Sequence, residues 1–271
     1  MFLWIGLPLL LFGYLSKYKK HHFRVLGYGL LGIFWFFQAP YFISISDYVN
    51  AAFTLLGLPL FLYFAYNEYL SYDWGEDPEV MRFLASSISV SMLIYFGVQR
   101  VPIIAGSLIK LVAGQTTWLS NIIGYDFTLG SIHFVGNPLF YRVNNENLFV
   151  PIHGSGINII LACTALQTLV PAAALIYFTK AEKVKKLKSL ALVLPTIYIG
   201  NIIRNVLVIY LTKEGITSFD MAHNQIAKAG SIILLMILLI AVFEIMPKFH
   251  ENIMSVISLP KREPIHQKQQ R

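Results

Sequence analysis

The chain has 271 residues, of which 56% are hydrophobic and only 13% charged, and its mean hydropathy is +0.61. Soluble domains carry about a quarter charged residues, so this composition excludes an ordinary water-soluble fold and points to lipid. A net charge of +7 is also found in nucleic-acid binders, but here the basic residues sit between apolar runs, which assigns them to a membrane surface.

In chain order, apolar runs near the ~20 residues needed to cross a bilayer predict seven spans: about 1–16, 25–46, 49–68, 82–99, 157–179, 188–212 and 221–246. The first lacks a basic leading region and a small-residue cleavage site, so it reads as a membrane helix and not as a removable signal. Val101–Val112 contains Pro102 and Lys110 and is too short to span; an interfacial or re-entrant helix is expected there. The connection at about 113–156 is the longest. It alternates apolar and polar residues in Phe127–Val135 and Leu139–Val143, with turn chemistry at Gly136-Asn137-Pro138 and Asn144-Asn145, which predicts short β-hairpins. A connection this long is commonly functional, and a lid is one such use.

The basic residues set the orientation. Lys17, Lys19, Lys20, Arg24, Arg82, Lys180, Lys183, Lys185, Lys186 and Lys188, with Lys248, Lys261, Arg262, Lys268 and Arg271 of the tail, fall on one side. These are fifteen of the 21 Lys and Arg; Arg100, Lys110, Arg142 and Lys213 fall on the other. Basic loops stay inside, so the N-terminus is expected outside and the C-terminus inside. The expected fold is an all-α polytopic membrane protein with about seven transmembrane helices and one extracytoplasmic loop holding short β-hairpins. Four segments follow: N-terminal membrane helices 1–112, the loop or lid 113–156, a second set of membrane helices 157–246, and a basic, flexible cytoplasmic tail 247–271.

Ionisable residues inside a span are costly and mark function by default. Only Arg204 and Lys228 stand well inside the predicted spans, with Glu244 near an inner end. Asn201, Arg204 and Asn205 form a polar stripe on an otherwise apolar helix. With span five running inward from Ser155, a candidate cap, Cys163 lies roughly 10 Å below the outer edge. With span six running outward, Arg204 lies roughly 12 Å below it. His223 follows Thr217-Ser218-Phe219-Asp220, a candidate capping sequence, in the first turns of span seven. Three separate stretches thus bring Cys, Arg and His to the same outer third.

These residue types suit a cysteine nucleophile. A nearby Arg favours the thiolate, a His takes or returns a proton, and Arg also stabilises the oxyanion formed on a carbonyl. The catalytic candidates are therefore Cys163, Arg204 and His223, with His153 and then His133 as competing bases. Gln167, four residues after Cys163 on the expected helix face, and Asn201 and Asn205 are candidates for binding or orienting substrate. Lys228 is a candidate contact for a lipid phosphate. One cysteine excludes an intramolecular disulfide and a Cys-based metal cluster, and the seven histidines are dispersed, so neither a metal nor a cofactor is expected.

Around these residues the chain resembles the exosortase/archaeosortase family of membrane transpeptidases. The likeness rests on Ala162-Cys163-Thr164-Ala165-Leu166-Gln167, on Asn201-Ile202-Ile203-Arg204-Asn205, and on His223 opening the next helix, within about 150–246. Family members often carry Gly where this chain has Ala165, and some archaeosortases use Arg where others use His as the third residue. The resemblance implies that Cys163 attacks a peptide bond in the C-terminal sorting segment of a secreted surface protein, forming a thioester acyl-enzyme. That segment would carry a recognition motif, a membrane helix and a basic tail, and the acyl group would pass to a membrane lipid. The competing reading is a membrane transporter or receptor that binds an anionic ligand through Arg204; a lipid-modifying enzyme without a cysteine intermediate is the other.

Overall fold

The computed structural model describes residues 1–44, 48–127, 132–134, 141–143 and 159–264; of residues 49, 132–134 and 141–143 only the backbone is described. In chain order the helices are α1 (Phe2–Leu15), α2 (Lys20–Phe36), α3 (Ala39–Ser44), α4 (Tyr48–Asp73), α5 (Glu79–Arg100) and α6 (Pro102–Ile122). Strands β1 (Ile132–Phe134), β2 (Tyr141–Val143) and β3 (Ile159–Ile160) follow, then a 3₁₀ turn at Leu161–Cys163 and helices α7 (Leu166–Phe178) and α8 (Lys183–Lys213). A π-helical turn at Met221–Ile226 leads into α9 (Ala227–Ile245), and α10 (Pro247–Ile257) closes the set.

Among the described residues, four helical stretches are long and apolar enough to cross a membrane: Lys20–Ser44, Glu79–Arg100, Lys183–Lys213 and Met221–Ile245; Phe2–Leu15 and Leu166–Phe178 are shorter apolar helices. Along α9, Ile232, Ile233, Met236, Ile237 and Ile240 all point outward. A helix this apolar with its side chains uncovered is suited to lipid and not to water.

The chain forms two compact units: residues 1–93, 177–180 and 248–271 make one, and 94–176 with 181–247 the other. In the first, α1, α2 and α4 pack around Leu7, Leu10, Tyr28 and Leu31, with Tyr28 meeting the rings of Phe61 and Phe64. Small residues permit the close approach of α1 and α2. A Cβ at Gly13 would lie 2.6 Å from Arg24 Cγ, and one at Gly27 would lie 2.6 Å from Leu10 Cγ.

That approach seats a buried ion pair absent from the sequence expectation, which had Arg24 in a solvated connection. Helix α2 starts at Lys20, so Arg24 lies inside it, 1% exposed, against Glu68 of α4, 0% exposed. The Arg24 guanidinium donates to Gly13 O (2.9 Å), Glu68 Oε1 (3.2 Å) and Asp77 Oδ1 (3.0 Å); Lys20 bonds Asp77 Oδ2 at 2.7 Å, and His21 Nδ1 meets Glu68 Oε1 at 2.5 Å. Arg24→Met takes the guanidinium from the buried Glu68 carboxylate, leaving it the contact with His21, and is expected to cost about 3–5 kcal/mol, whereas adding Glu68→Leu should restore much of the loss; thermal unfolding in detergent checks both. Burial alone would push the Asp77 carboxyl up, but Lys20 and Arg24 outweigh it and hold it below the usual carboxylate range. Its contribution is therefore complete above the ordinary Asp range and disappears as pH falls through the depressed value.

Three further expectations are corrected. The helix at Pro102 continues to Ile122, so the long connection begins some ten residues later than predicted. Proline at the first helical position starts it well, because its missing N–H is one that a helix start leaves unpaired. The tail is not simply flexible: α10 folds, and Arg262 enters a socket where it donates to Asn67 O (3.1 Å), Ser71 Oγ (2.8 Å) and Glu76 Oε2 (3.2 Å). The span expected over 157–179 is also broken, as the next section describes.

In the second unit a core of Ala105, Ile109, Val112 and Ala113 from α6, Ile159, Leu161 and Ile202 supports Cys163 and Tyr198. The three strands pair antiparallel in the order β1-β2-β3, with Ile132 opposite Val143 and Val143 opposite Ile159. The turn residues 136–138, 144–145 and the candidate cap Ser155 lie outside the described residues.

Candidate active site

Cys163 was expected inside a helix, and it is not. It closes the 3₁₀ turn after β3, and α7 starts only at Leu166. Between them Ala165 adopts φ +64°, the left-handed region, while its carbonyl accepts the first α7 bonds from Thr168 and Leu169, both 2.9 Å. Thr164 tightens the turn by donating both its N–H (3.1 Å) and its hydroxyl (2.7 Å) to Leu161 O. Gln167 consequently does not share a helix face with Cys163; it is exposed in the first turn of α7.

The left-handed conformation costs a non-glycine residue about 1–2 kcal/mol. Ala165→Gly removes that cost and gives back about 0.4–1 kcal/mol through greater freedom of the unfolded chain. A net gain between zero and about 1.6 kcal/mol is expected, read as a raised thermal midpoint with activity retained.

Helix α8 holds this turn. Asn201 Nδ2 donates to the Cys163 carbonyl at 2.6 Å, and Asn205 Nδ2 donates to the same oxygen at 3.1 Å. The i, i+4 spacing places both amides on one side of α8. Arg204, in the same turn, lies within electrostatic reach of the Cys163 thiol. The thiol also meets the Ile160 backbone, and Tyr95 near the end of α5 interacts with it electrostatically. Sequence reasoning missed Tyr95; its signal was a polar-tipped ring in an apolar span. Tyr198, on the same core, donates its hydroxyl to Gln115 Oε1 at 2.5 Å.

Cys163, Asn201, Arg204 and Asn205 therefore come together. His223 lies in the π-helical turn, half-buried, with its ring stacked on Phe219 at 5.3 Å and 11°. Ser218 caps that helix start by accepting from Met221 N–H at 3.2 Å. An extra residue per turn rotates the side chains that follow, and π-turns recur at functional sites. Lys228 stands half-buried at the start of α9. His153 and the His133 side chain lie outside the described residues. Among the described residues no three His, Cys, Asp or Glu side chains gather to hold a metal ion.

The family model of the transmembrane exosortases matches residues 1–243, most of the chain and all of this cluster. The chain belongs to the transmembrane exosortase family. The chain is also similar to archaeosortase A of Haloferax volcanii, 27% identical over 189 residues, 65% of this chain. That alignment spans 57% of the archaeal protein's own length. No solved structure matches this exosortase.

Proposed function

We propose that this membrane protein is an intramembrane cysteine transpeptidase. It cleaves the C-terminal sorting segment of secreted proteins through a thioester and transfers them to a membrane lipid. The observation that carries this reading is the Cys163 turn, bonded to α8 by two amides beside Arg204, in a chain of the exosortase family.

In this mechanism His223 accepts the Cys163 proton, and the thiolate attacks the scissile carbonyl. Arg204 faces the oxyanion, where a fixed positive charge acts on charge that exists only in the transition state. The C–N bond breaks, His223 protonates the departing amine, and the acyl group stays on sulfur as a thioester. A lipid hydroxyl or amine then attacks the thioester, His223 takes its proton, and the thiolate leaves. Gln167, exposed at the start of α7, contacts the substrate backbone; Lys228 contacts the phosphate of the acceptor lipid.

The same proposal places the site toward the extracytoplasmic side of the cell membrane, with the N-terminus out and the C-terminus in. Seven spans are then α1, α2 with α3, α4, α5, α7, α8, and the π-turn with α9. Helix α6 lies at the interface, the connection that follows it lies outside, the Cys163 turn with α7, α8 and α9 makes the catalytic part, and α10 with Arg262 the cytoplasmic end. The basic-residue distribution supports this orientation.

The test is reconstitution in vesicles with a reporter carrying a tripartite sorting tail and a mass-labelled lipid. Release of the tail and appearance of lipid-linked reporter are expected. Folded protein that leaves the reporter intact, but binds or moves an anionic solute in an Arg204-dependent way, would favour the transporter or receptor reading instead.

A further inference from the structure

We propose that Asn201 and Asn205 are positioning residues that lock the Cys163 turn onto α8, and that they do not bind substrate. The inference rests on the reading of Cys163 as the nucleophile. Both amides reach one carbonyl oxygen, at 2.6 Å and 3.1 Å. A carbonyl oxygen only accepts, so each Asn must turn its NH₂ group toward Cys163, and chemistry fixes both amide orientations. The N–H that each amide gives to the enzyme's own backbone fixes the side chain there and is not itself offered to a substrate peptide.

The lock matters because of what lies on either side of it. Two residues on, Ala165 holds φ +64°, and a strained backbone persists only where its surroundings over-determine it. With the Cys163 carbonyl pinned, the peptide group after Cys163 cannot rotate. Without the pins, residues 163–165 can relax to right-handed conformations and join α7, which carries the thiol to a new place. Arg204 belongs to the same turn of α8 as the two amides. The bonds that hold the turn therefore also set the distance from thiol to guanidinium. Among the described residues, Arg204 from α8, Tyr95 from α5 and the Ile160 backbone from β3 interact with the thiol.

Cys163 is the single cysteine of the chain, so alkylation reads it directly and needs no substrate. The informative quantity is the rate with anionic iodoacetate divided by the rate with neutral iodoacetamide. Exposure of the thiol and its thiolate fraction affect both reagents alike, whereas the attraction of a nearby guanidinium for the reagent itself speeds only the anion. In Asn201→Ala and Asn205→Ala this ratio is expected to fall about fivefold or more, toward the ratio of Arg204→Met. Turnover should show kcat down about tenfold or more with KM within about twofold. Thermal midpoints establish that the variants are folded; if the alanine variants are not, the neutral, near-isosteric Asn201→Leu, which removes the donor without adding a charge, must show the same fall. An unchanged alkylation ratio in a folded variant overturns the proposal, and so does a rise in KM with kcat preserved. Because the alkylation ratio is independent of substrate, it stands or falls separately from the transpeptidase reading.

Discussion

Cys163→Ser and Cys163→Ala are each expected to reduce turnover by about 10⁴-fold or more, with the protein still folded and still binding its substrate. Removal of a covalent nucleophile disables the whole catalytic unit, leaving only what binding and oxyanion stabilisation provide. Serine is no substitute, since a hydroxyl is far harder to ionise than a thiol and the site places a single positive charge beside it. The structure explains why folding should survive. Asn201 and Asn205 bond the Cys163 backbone carbonyl and not its sulfur, so both bonds persist in either variant. The check is product formation in the vesicle assay beside a thermal midpoint and a substrate-binding isotherm. Wild-type-like turnover in Cys163→Ala would remove the covalent mechanism altogether.

Arg204→Met is expected to lower kcat about 10²–10³-fold with little change in KM. That is the range found when one preorganised oxyanion donor is removed, and a group that acts on charge formed in the transition state affects kcat before KM. Arg204→Lys should recover only part of the loss. Lysine keeps the charge but offers a point donor on a flexible stem where arginine has a planar fork. Stability should move the other way. The guanidinium is half-buried on an apolar helix, and replacing a buried charge by an apolar chain of similar volume is often neutral or stabilising. Steady-state kinetics with a thermal midpoint for each variant separates the two effects. A large rise in KM with kcat retained would instead make Arg204 a ligand-binding group, as the transporter reading requires.

Much of the helical framework was legible because its signal is local. Apolar length marked Lys183–Lys213 and Met221–Ile245, and a serine ahead of the last apolar run marked its cap. The polar stripe on α8 was legible too, since three polar residues at helical spacing stand out against an apolar background. The break at Cys163 was not. Residues 157–179 are apolar almost throughout, and apolar composition alone cannot separate a strand and a tight turn from a helix. Alanine at 165 deepened the error, being the strongest helix former and here left-handed. The likeness to a family that often has glycine at this position carried the one hint, and it concerned backbone conformation.

Other misses have a common cause in pairing. Arg24 read as one more basic residue of an inner connection, because its burial against Glu68 depends on two helices meeting across residues far apart in sequence. Arg262 likewise looked like one more tail cation until Ser71 and Glu76 received it. Helix α6 was cut short by Gln115, Thr116, Thr117, Ser120 and Asn121, which read as loop. Thr116, Thr117 and Ser120 are buried in it, and Asn121 is used to bond both the N–H and the carbonyl of Phe127, each at 2.9 Å.

The central claim is that Cys163 becomes acylated, and intact mass spectrometry of the detergent-solubilised protein tests it most directly. Wild type and Cys163→Ala are incubated with a peptide carrying a recognition motif, membrane helix and basic tail, without lipid acceptor, and quenched in acid. Wild type is expected to gain a mass equal to the acyl fragment, lost on treatment with hydroxylamine and absent from the variant. Cleavage of the peptide by both proteins, with no adduct on either, would contradict it.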